Sequence, residues 1–128
     1  MYKMIEKNGL LYATVDIEHN GKTIIVDDVI IDTGAYHSII LTDYLEELDV
    51  GFSENDELVK SSGYGGVQMT SVRKMMDRMR MGNIELNNFK IDFGDIDPYE
   101  RVNGLIGLDF LKGAGVIIDI VDSTISRK

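Results

Sequence analysis

The chain has 128 residues, 44% of them hydrophobic, no cysteine and a formal net charge of −9. That bounds it to one domain, residues 1–128, with a core of its own, and it excludes disulfides, thiol catalysis and cysteine-ligated zinc. The acidic balance argues against a nucleic-acid partner, which needs a basic surface. Charges in Met1–Asn8 argue against a signal peptide and no run nears the ~20 apolar residues of a membrane span, so a cytoplasmic protein without a membrane partner is expected.

Residues 1–9 read as a loose lead-in. Leu11 to Glu18 then alternates, with Ala13, Val15 and Ile17 on one face and Tyr12, Thr14, Asp16 and Glu18 on the other. That is the pattern of a half-buried strand. Asn20-Gly21 is a strong hairpin signal, so Lys22 to Val26 returns as a second strand. Asp27-Asp28 marks a bend before a further strand, Val29-Ile30-Ile31. Three β-branched apolar residues in a row read as a strand buried on both faces. They run directly into Asp32-Thr33-Gly34-Ala35, where Asp and Gly favour a turn. A rigid strand therefore delivers an ionisable group into a tight turn with little side-chain bulk. Buried carboxylates are uncommon unless paired, which marks Asp32 as a candidate functional residue.

Beyond the turn, Ser38 to Leu41 reads as a short strand and Thr42 to Leu48 as a short helix capped by Thr42. Glu57 to Ser62 and the residues from Val67 onward form the arms of a hairpin whose tip is rich in glycine. Residues 72–81 fit two patterns. Val72, Met75, Met76 and Met79 fit a helical stripe, whereas Met75, Met79 and Met81 against Met76, Arg78 and Arg80 fit strand alternation. The strand is preferred because the hairpin needs a long returning arm, with the methionines as core or interface filler. Gly82-Asn83 is a turn and Ile84 to Phe93 a strand. Asp95 to Arg101 is an acidic loop holding the single proline, Pro98. Leu105-Ile106 reads as a buried strand, and Leu108 to Lys112 as a short helix stopped by Gly113. Val116 to Ile120 and Thr124-Ile125 form a terminal hairpin around Asp122-Ser123.

Val29-Ile30-Ile31-Asp32-Thr33-Gly34-Ala35 resembles the active-site signature of the single-domain, retropepsin-like aspartic proteases. Asn103-Gly104-Leu105-Ile106-Gly107-Leu108-Asp109-Phe110-Leu111 resembles the same family's hydrophobic-hydrophobic-Gly element and the short helix after it. Between them, Ser61-Ser62-Gly63-Tyr64-Gly65-Gly66-Val67 looks like the flap. The resemblance runs from about Leu11 to Ile125, and Gly107-Leu108-Asp109-Phe110-Leu111 is similar to cellular and bacterial members more than to viral ones.

The resemblance implies an all-β fold: a closed β-barrel with a flap hairpin and one or two short helices. It implies Asp32 as the catalytic acid and base, Thr33 as a hydrogen-bonding lock across a dimer axis, and Gly34 as a backbone N–H donor to the carboxylate. Ala35, Tyr36 and His37 would line the substrate site, and Tyr64, Gly65 and Gly66 would form a mobile lid. Gly107 would let the Leu105-Ile106 strand pass close behind Asp32. Tyr36 is bulky where family members often carry a small or polar residue, which bears on substrate preference.

Hydrolysing a peptide with carboxyl groups alone needs two of them. One takes the proton of water while the other, protonated, hydrogen-bonds the carbonyl oxygen. This chain carries one Asp-Thr-Gly. A twofold homodimer supplies the second by symmetry. The expected function is thus a homodimeric aspartic endopeptidase acting on a peptide or protein, with no cofactor and no metal. The rival expectation is a catalytically silent dimer of the same fold that binds extended peptides by strand addition.

Other motifs carry less. Asp92-Phe93-Gly94 matches a kinase metal-binding tripeptide, but the chain is too short and lacks the catalytic-loop partner. Ser71-Val72-Arg73-Lys74 matches a serine-activating spacing without its companions. Asp95, Asp97 and Glu100 lack the glycine of a calcium loop. His19 and His37 lack zinc spacing.

Overall fold

The computed structural model describes residues 1–62, 68–96 and 102–128. Among these residues eleven strands and two short helices run in chain order. They are β1 (Tyr2–Lys3), β2 (Ile5–Lys7), β3 (Leu10–His19), β4 (Lys22–Ile31), β5 (Ile39–Ile40), α1 (Asp43–Glu47), β6 (Glu57–Ser62), β7 (Gln68–Met81), β8 (Ile84–Gly94), β9 (Gly104–Ile106), α2 (Leu108–Gly113), β10 (Val116–Asp119) and β11 (Thr124–Arg127). The main sheet has the order β2-β3-β4-β9-β5-β8-β7-β6, and β3 also pairs with β7. That last pairing, Asp16↔Arg80 to Glu18↔Arg78, closes β3, β4, β9, β5, β8 and β7 into a barrel. The expected all-β barrel with two short helices is what forms. Among the described residues no helix is long and apolar enough to cross a membrane.

The β3–β4 hairpin turns at Asn20 (φ 50°) and Gly21 (φ 80°). Two successive positive φ values match the right-handed twist of the strands they join, which is why Asn-Gly is favoured there. The expected break at Asp27-Asp28 is instead a bulge in one continuous strand. The register of β3 against β4 slips between Ala13 and Val15, Asp28 takes φ 55°, and Thr14 Oγ1 donates to Asp27 Oδ1 at 2.9 Å. One extra residue flips the facing of every residue after it. Val26 and Val29, three apart, consequently both point into the core and are fully buried.

A change of facing, here without a slip in register, also resolves the methionine pattern. β7 pairs with β8 on both sides of Asp77, and Met76, Met79 and Met81 are all buried while Met75 is 46% exposed. Met75 therefore does not share the face of Met79 and Met81. The change of facing at Asp77 breaks the alternation, which is why neither period fits cleanly.

Other differences are local. Residues 1–9 are not a loose lead-in. Tyr2 and Lys3 pair with β11, which pairs with β10 in a second small sheet, and β2 pairs with β3. Met4 is buried and its N–H donates to the Ser123 carbonyl at 2.7 Å. β1 depends on a partner far along the chain, whereas β2 turns straight back onto β3 through Asn8 (φ 54°) and Gly9 (φ 78°); both are too short to leave a periodic signal. Thr42 makes no side-chain cap bond, because its own backbone is already helical. Helix α2 is stopped not by Gly113 but by Gly115, at φ +63° just past the cap residue Ala114. A Cβ on Gly113 would lie 2.9 Å from Leu86 Cδ1, so that glycine serves packing.

Two clusters form the core. Inside the barrel lie Val15, Ile17, Val26, Val29, Ile40, Met76, Ile91, Phe93, Ile106 and Phe110, among others, with Phe89 set edge-on to Phe110 at 5.8 Å. On the outer face lie Tyr12, Ile30, Ile39, Ile96 and Val102. Val29 and Ile30 thus belong to different clusters, as expected of a strand buried on both faces.

Lys74 fastens the segment leading into the β6 arm. Its Nζ donates to the Gly51 carbonyl at 2.9 Å and to Asp56 Oδ1 at 2.7 Å, and the Ser53 N–H donates to Asp56 Oδ2 at 2.6 Å. The Lys74 hydrogen bond, and then that of Ser53, hold the Asp56 carboxyl below the usual carboxylate range. A depressed acid contributes stability that is complete above its unfolded value of about 3.9 and is lost as pH falls through the folded one. Amide exchange of residues 51–56, corrected for intrinsic rates, should therefore accelerate only below about pH 4. In Asp56→Asn it should already be fast at pH 7 and respond little to acid; a parental exchange pattern in that variant would mean Asp56 does not hold the segment.

Candidate active site

Strand β4 pairs in parallel with β9, Ile31 opposite Ile106. β9 pairs antiparallel with β5, and β5 runs parallel to β8. The chain thus leaves β4 at Asp32, turns, and re-enters the sheet at Ile39 on the other side of β9. The turn begins where the Asp32 N–H donates to the Ile106 carbonyl at 2.9 Å, and it closes with the Ala35 N–H on the Asp32 carbonyl at 3.2 Å. The Gly34 N–H donates to Asp32 Oδ1 at 2.9 Å, which fixes the orientation of the carboxylate. A Cβ on Gly34 would lie 3.2 Å from that same oxygen.

Asp32 is half-buried in the single chain, and Thr33 and Gly34 are exposed. The sequence points to a buried carboxylate. The turn lies at the surface of the domain, so the burial belongs to the strand before it and not to the carboxylate itself. Ala35 is half-buried; Tyr36 is 82% exposed and the His37 side chain 53%. The structure brings these six positions together on one turn. Tyr64, Gly65 and Gly66 lie outside the described residues; the arms β6 and β7 that lead to them pair from Glu57↔Arg73 to Ser62↔Gln68.

Behind the turn lies a second set of residues, of which the sequence assigned a role to Gly107 and none to Ser38 or Asp109. Ser38 is fully buried. Its N–H donates to both oxygens of Asp109, at 3.1 and 2.9 Å, and its hydroxyl donates to Asp109 Oδ1 at 2.8 Å. The Gly107 N–H in turn donates to Ser38 Oγ at 3.0 Å. The Leu108 N–H reaches the Ala35 carbonyl at 2.9 Å and the Asp109 N–H the Tyr36 carbonyl at 3.1 Å. Residues 35–38 are thus stitched to 107–109. A Cβ on Gly107 would fall 2.8 Å from the Ala35 carbonyl oxygen and 3.0 Å from the His37 carbonyl carbon. Gly107 therefore makes room for the far half of the turn, not for the strand behind Asp32. The signal for this set is Asp109 itself, a carboxylate inside an apolar run.

Asp92 is buried and paired with Arg73, whose Nε and Nη2 donate to its two oxygens at 2.6 and 3.1 Å. The Asp92 carboxylate, helped by Glu57 and Asp109, holds the Arg73 guanidinium above its ordinary range. A buried charge pair of this kind is a structural tie between the β7 arm and β8. Asp92 and Asp109 are each committed to partners, which leaves Asp32 as the carboxylate presented on the turn.

Compared with protein families, residues 14–110 match the model described as aspartyl protease. The chain belongs to the aspartyl protease family. The match includes the Asp32 turn, both hairpin arms and the Gly107 element. No curated protein matches the chain in sequence. Among solved structures, this family member is similar to a retropepsin-like aspartic protease from Rickettsia conorii, with a TM-score of 0.68 at 19% identity over 98% of this chain and 97% of that one. It is similar to the retroviral protease-like domain of Ddi1 from Leishmania major, with a TM-score of 0.63 at 20% identity over 93% and 88%. It also resembles the EIAV protease, solved with the inhibitor HBY-793, with a TM-score of 0.61 at 18% identity over 91% and 100%. The fold of this aspartyl protease family member is retropepsin-like across nearly its whole length.

Proposed function

We propose that the protein is an aspartic endopeptidase that works as a homodimer, with Asp32 of each copy facing its mate across the axis. The observation that carries the reading is the Asp32 turn: one oriented carboxylate at the open end of a buried strand, at the surface of a domain of the aspartyl protease family. Alone, such a carboxylate cannot both accept a proton from water and donate one to a peptide carbonyl. Two, a few ångströms apart, share one proton because both cannot cheaply ionise. One then acts as base toward water while the other, protonated, polarises the scissile carbonyl; the roles reverse as the amine departs. Exposed Thr33 is available to the partner copy, and Tyr36 and His37 stand at the lip where substrate side chains would lie. Incubation with a diverse peptide library, with Asp32→Asn as control, tests the reading. Cleavage by the parent alone supports it; products at equal rate from both would sink it.

The second copy has a face to use. Among the described residues, β10 is an edge strand of the small sheet β1-β11-β10. Ile117, Ile120 and Val121 are 50%, 72% and 93% exposed, and Ile120 joins Leu10, Leu11 and Ile31 around a groove at the end of β4. An edge strand with apolar side chains invites strand pairing. Placing Asp at Ile117 or Val121 would bury an unpaired charge there, at about 3 kcal/mol, equivalent to roughly 10²-fold in dimer dissociation. Sedimentation across concentrations should show the shift with the monomer fold intact. Parental dimerisation in both variants would place the interface elsewhere.

A further inference from the structure

The segment after Asp32 crosses from β4 to β5 over the end of β9, and most of what holds it is backbone. Asp32 donates to Ile106, Leu108 donates to Ala35, and Asp109 donates to Tyr36. These bonds come from the chain path and hold for many side chains. The far end of the segment is different. There the tie is the Asp109 carboxylate, which accepts the Ser38 N–H and hydroxyl, together with the N–H of its own neighbour Phe110 at 2.8 Å. Its side chain is 18% exposed, with His37 Nδ1 3.8 Å from Oδ2. Hydrogen bonds to an ionised acceptor are roughly twice as strong as neutral ones. The Ser38 hydroxyl, having given its proton to Asp109, has a lone pair aimed at the Gly107 N–H. Ser38 also accepts the Asp92 N–H on its carbonyl at 3.1 Å, so it joins the turn, β8 and the Gly107 element at one point.

We propose that Asp109 is a positioning residue for Asp32: by pinning Ser38 it fixes the 35–38 segment and thereby the angle at which the turn presents the Asp32 carboxylate. The inference rests on the protease reading of Asp32. Asp109 touches no reacting atom and acts through the turn. Catalysis by two carboxylates depends on their mutual geometry, and a misplacement of about 1 Å can cost ~10²-fold in rate.

The test compares the parent with Asp109→Ala, Asp109→Asn and Ser38→Ala, each checked for dimer and melting temperature. Asn can keep an oxygen at the Oδ1 position, where it still accepts from the Ser38 hydroxyl and Phe110, but it loses the Oδ2 acceptor. The expected result is graded: kcat falls by ~10²-fold in Asp109→Ala and by about tenfold in Asp109→Asn, with KM near the parental value. Ser38→Ala should resemble Asp109→Ala. Parental kcat in a folded, dimeric Asp109→Ala overturns the proposal, as does a loss of rate that disappears when the assay is cooled further below the variant's melting temperature. Where Asp109→Ala does not fold, parental kcat in Asp109→Asn overturns it. If the parent itself cleaves no better than Asp32→Asn, the protease reading fails, and amide exchange decides the pinning alone. Faster exchange at Ala35–Ser38 in Asp109→Asn then supports it, and unchanged exchange overturns it.

Discussion

Asp32→Asn should abolish peptide cleavage, by about 10⁴-fold or more, while leaving the dimer assembled and at pH 7 more stable than the parent. An amide can neither take the proton of water nor return it to the leaving amine. The turn itself should survive, because the Asn side-chain oxygen can still accept the Gly34 N–H that Asp32 Oδ1 accepts at 2.9 Å. The gain in stability comes from the partner copy. At pH 7 the parent pair must either bear both charges, which at 4 Å repel by about 1 kcal/mol in water and about 4 kcal/mol near a protein surface, or keep one proton that a free carboxyl has lost well below that pH; the amide does neither. Each kcal/mol recovered raises the melting temperature by about 4 °C in a domain of this size. Melting curves of the two proteins at pH 7, with turnover on the same peptide, check both halves. A variant that is no more stable than the parent would mean that the two carboxyls do not face one another. A variant that retains turnover would remove Asp32 from the chemistry.

Gly107→Ala should lower both stability and activity, although residue 107 has an ordinary extended backbone with φ −100°. The demand there is for space. The added Cβ would meet the Ala35 carbonyl oxygen at 2.8 Å, the His37 carbonyl carbon at 3.0 Å and its oxygen at 3.1 Å. These neighbours are backbone and cannot swing aside as a side-chain tip can. The segment 35–38 must move outward, taking the Ser38–Asp109 tie with it. Overpacking of this kind costs about 1–3 kcal/mol, roughly 4–12 °C in melting temperature, and a displaced turn costs ~10²-fold in kcat/KM. Gly51 is the control, since a Cβ there meets nothing within 4 Å, and Gly51→Ala should stay within about 0.5 kcal/mol of the parent. Parental melting and turnover in Gly107→Ala would show that the turn is not held by this close approach.

Elements whose signals are local were legible in the amino-acid order alone. The alternation from Leu11 to Glu18 buries Ala13, Val15 and Ile17, the Asn20-Gly21 turn takes two positive φ values, and the run Val29-Ile30-Ile31 is covered on both faces; each forms as expected. So does the turn that begins at Asp32, because a carboxylate, a hydroxyl and a glycine after three β-branched residues leave the strand little way to continue. The two family elements, around Asp32 and Gly107, were legible as motifs and stand side by side through the β4–β9 pairing. Which distant residues meet was settled only in three dimensions. Periodicity tells a strand which face to bury but not which strand to join, so the closure of the barrel through Asp16↔Arg80 and the pairing of Tyr2 with Ile125 had no sequence signal. The bulge at Asp28 and the change of facing at Asp77 reverse the inside and outside of a strand midway, and each depends on a partner strand that pairs on both sides of the irregularity. The clamp of Ser38 on Asp109 joins residues 71 positions apart, and its charge-assisted hydrogen bonds offset the cost of desolvating the carboxylate and the hydroxyl only once the turn and helix α2 have been folded against each other.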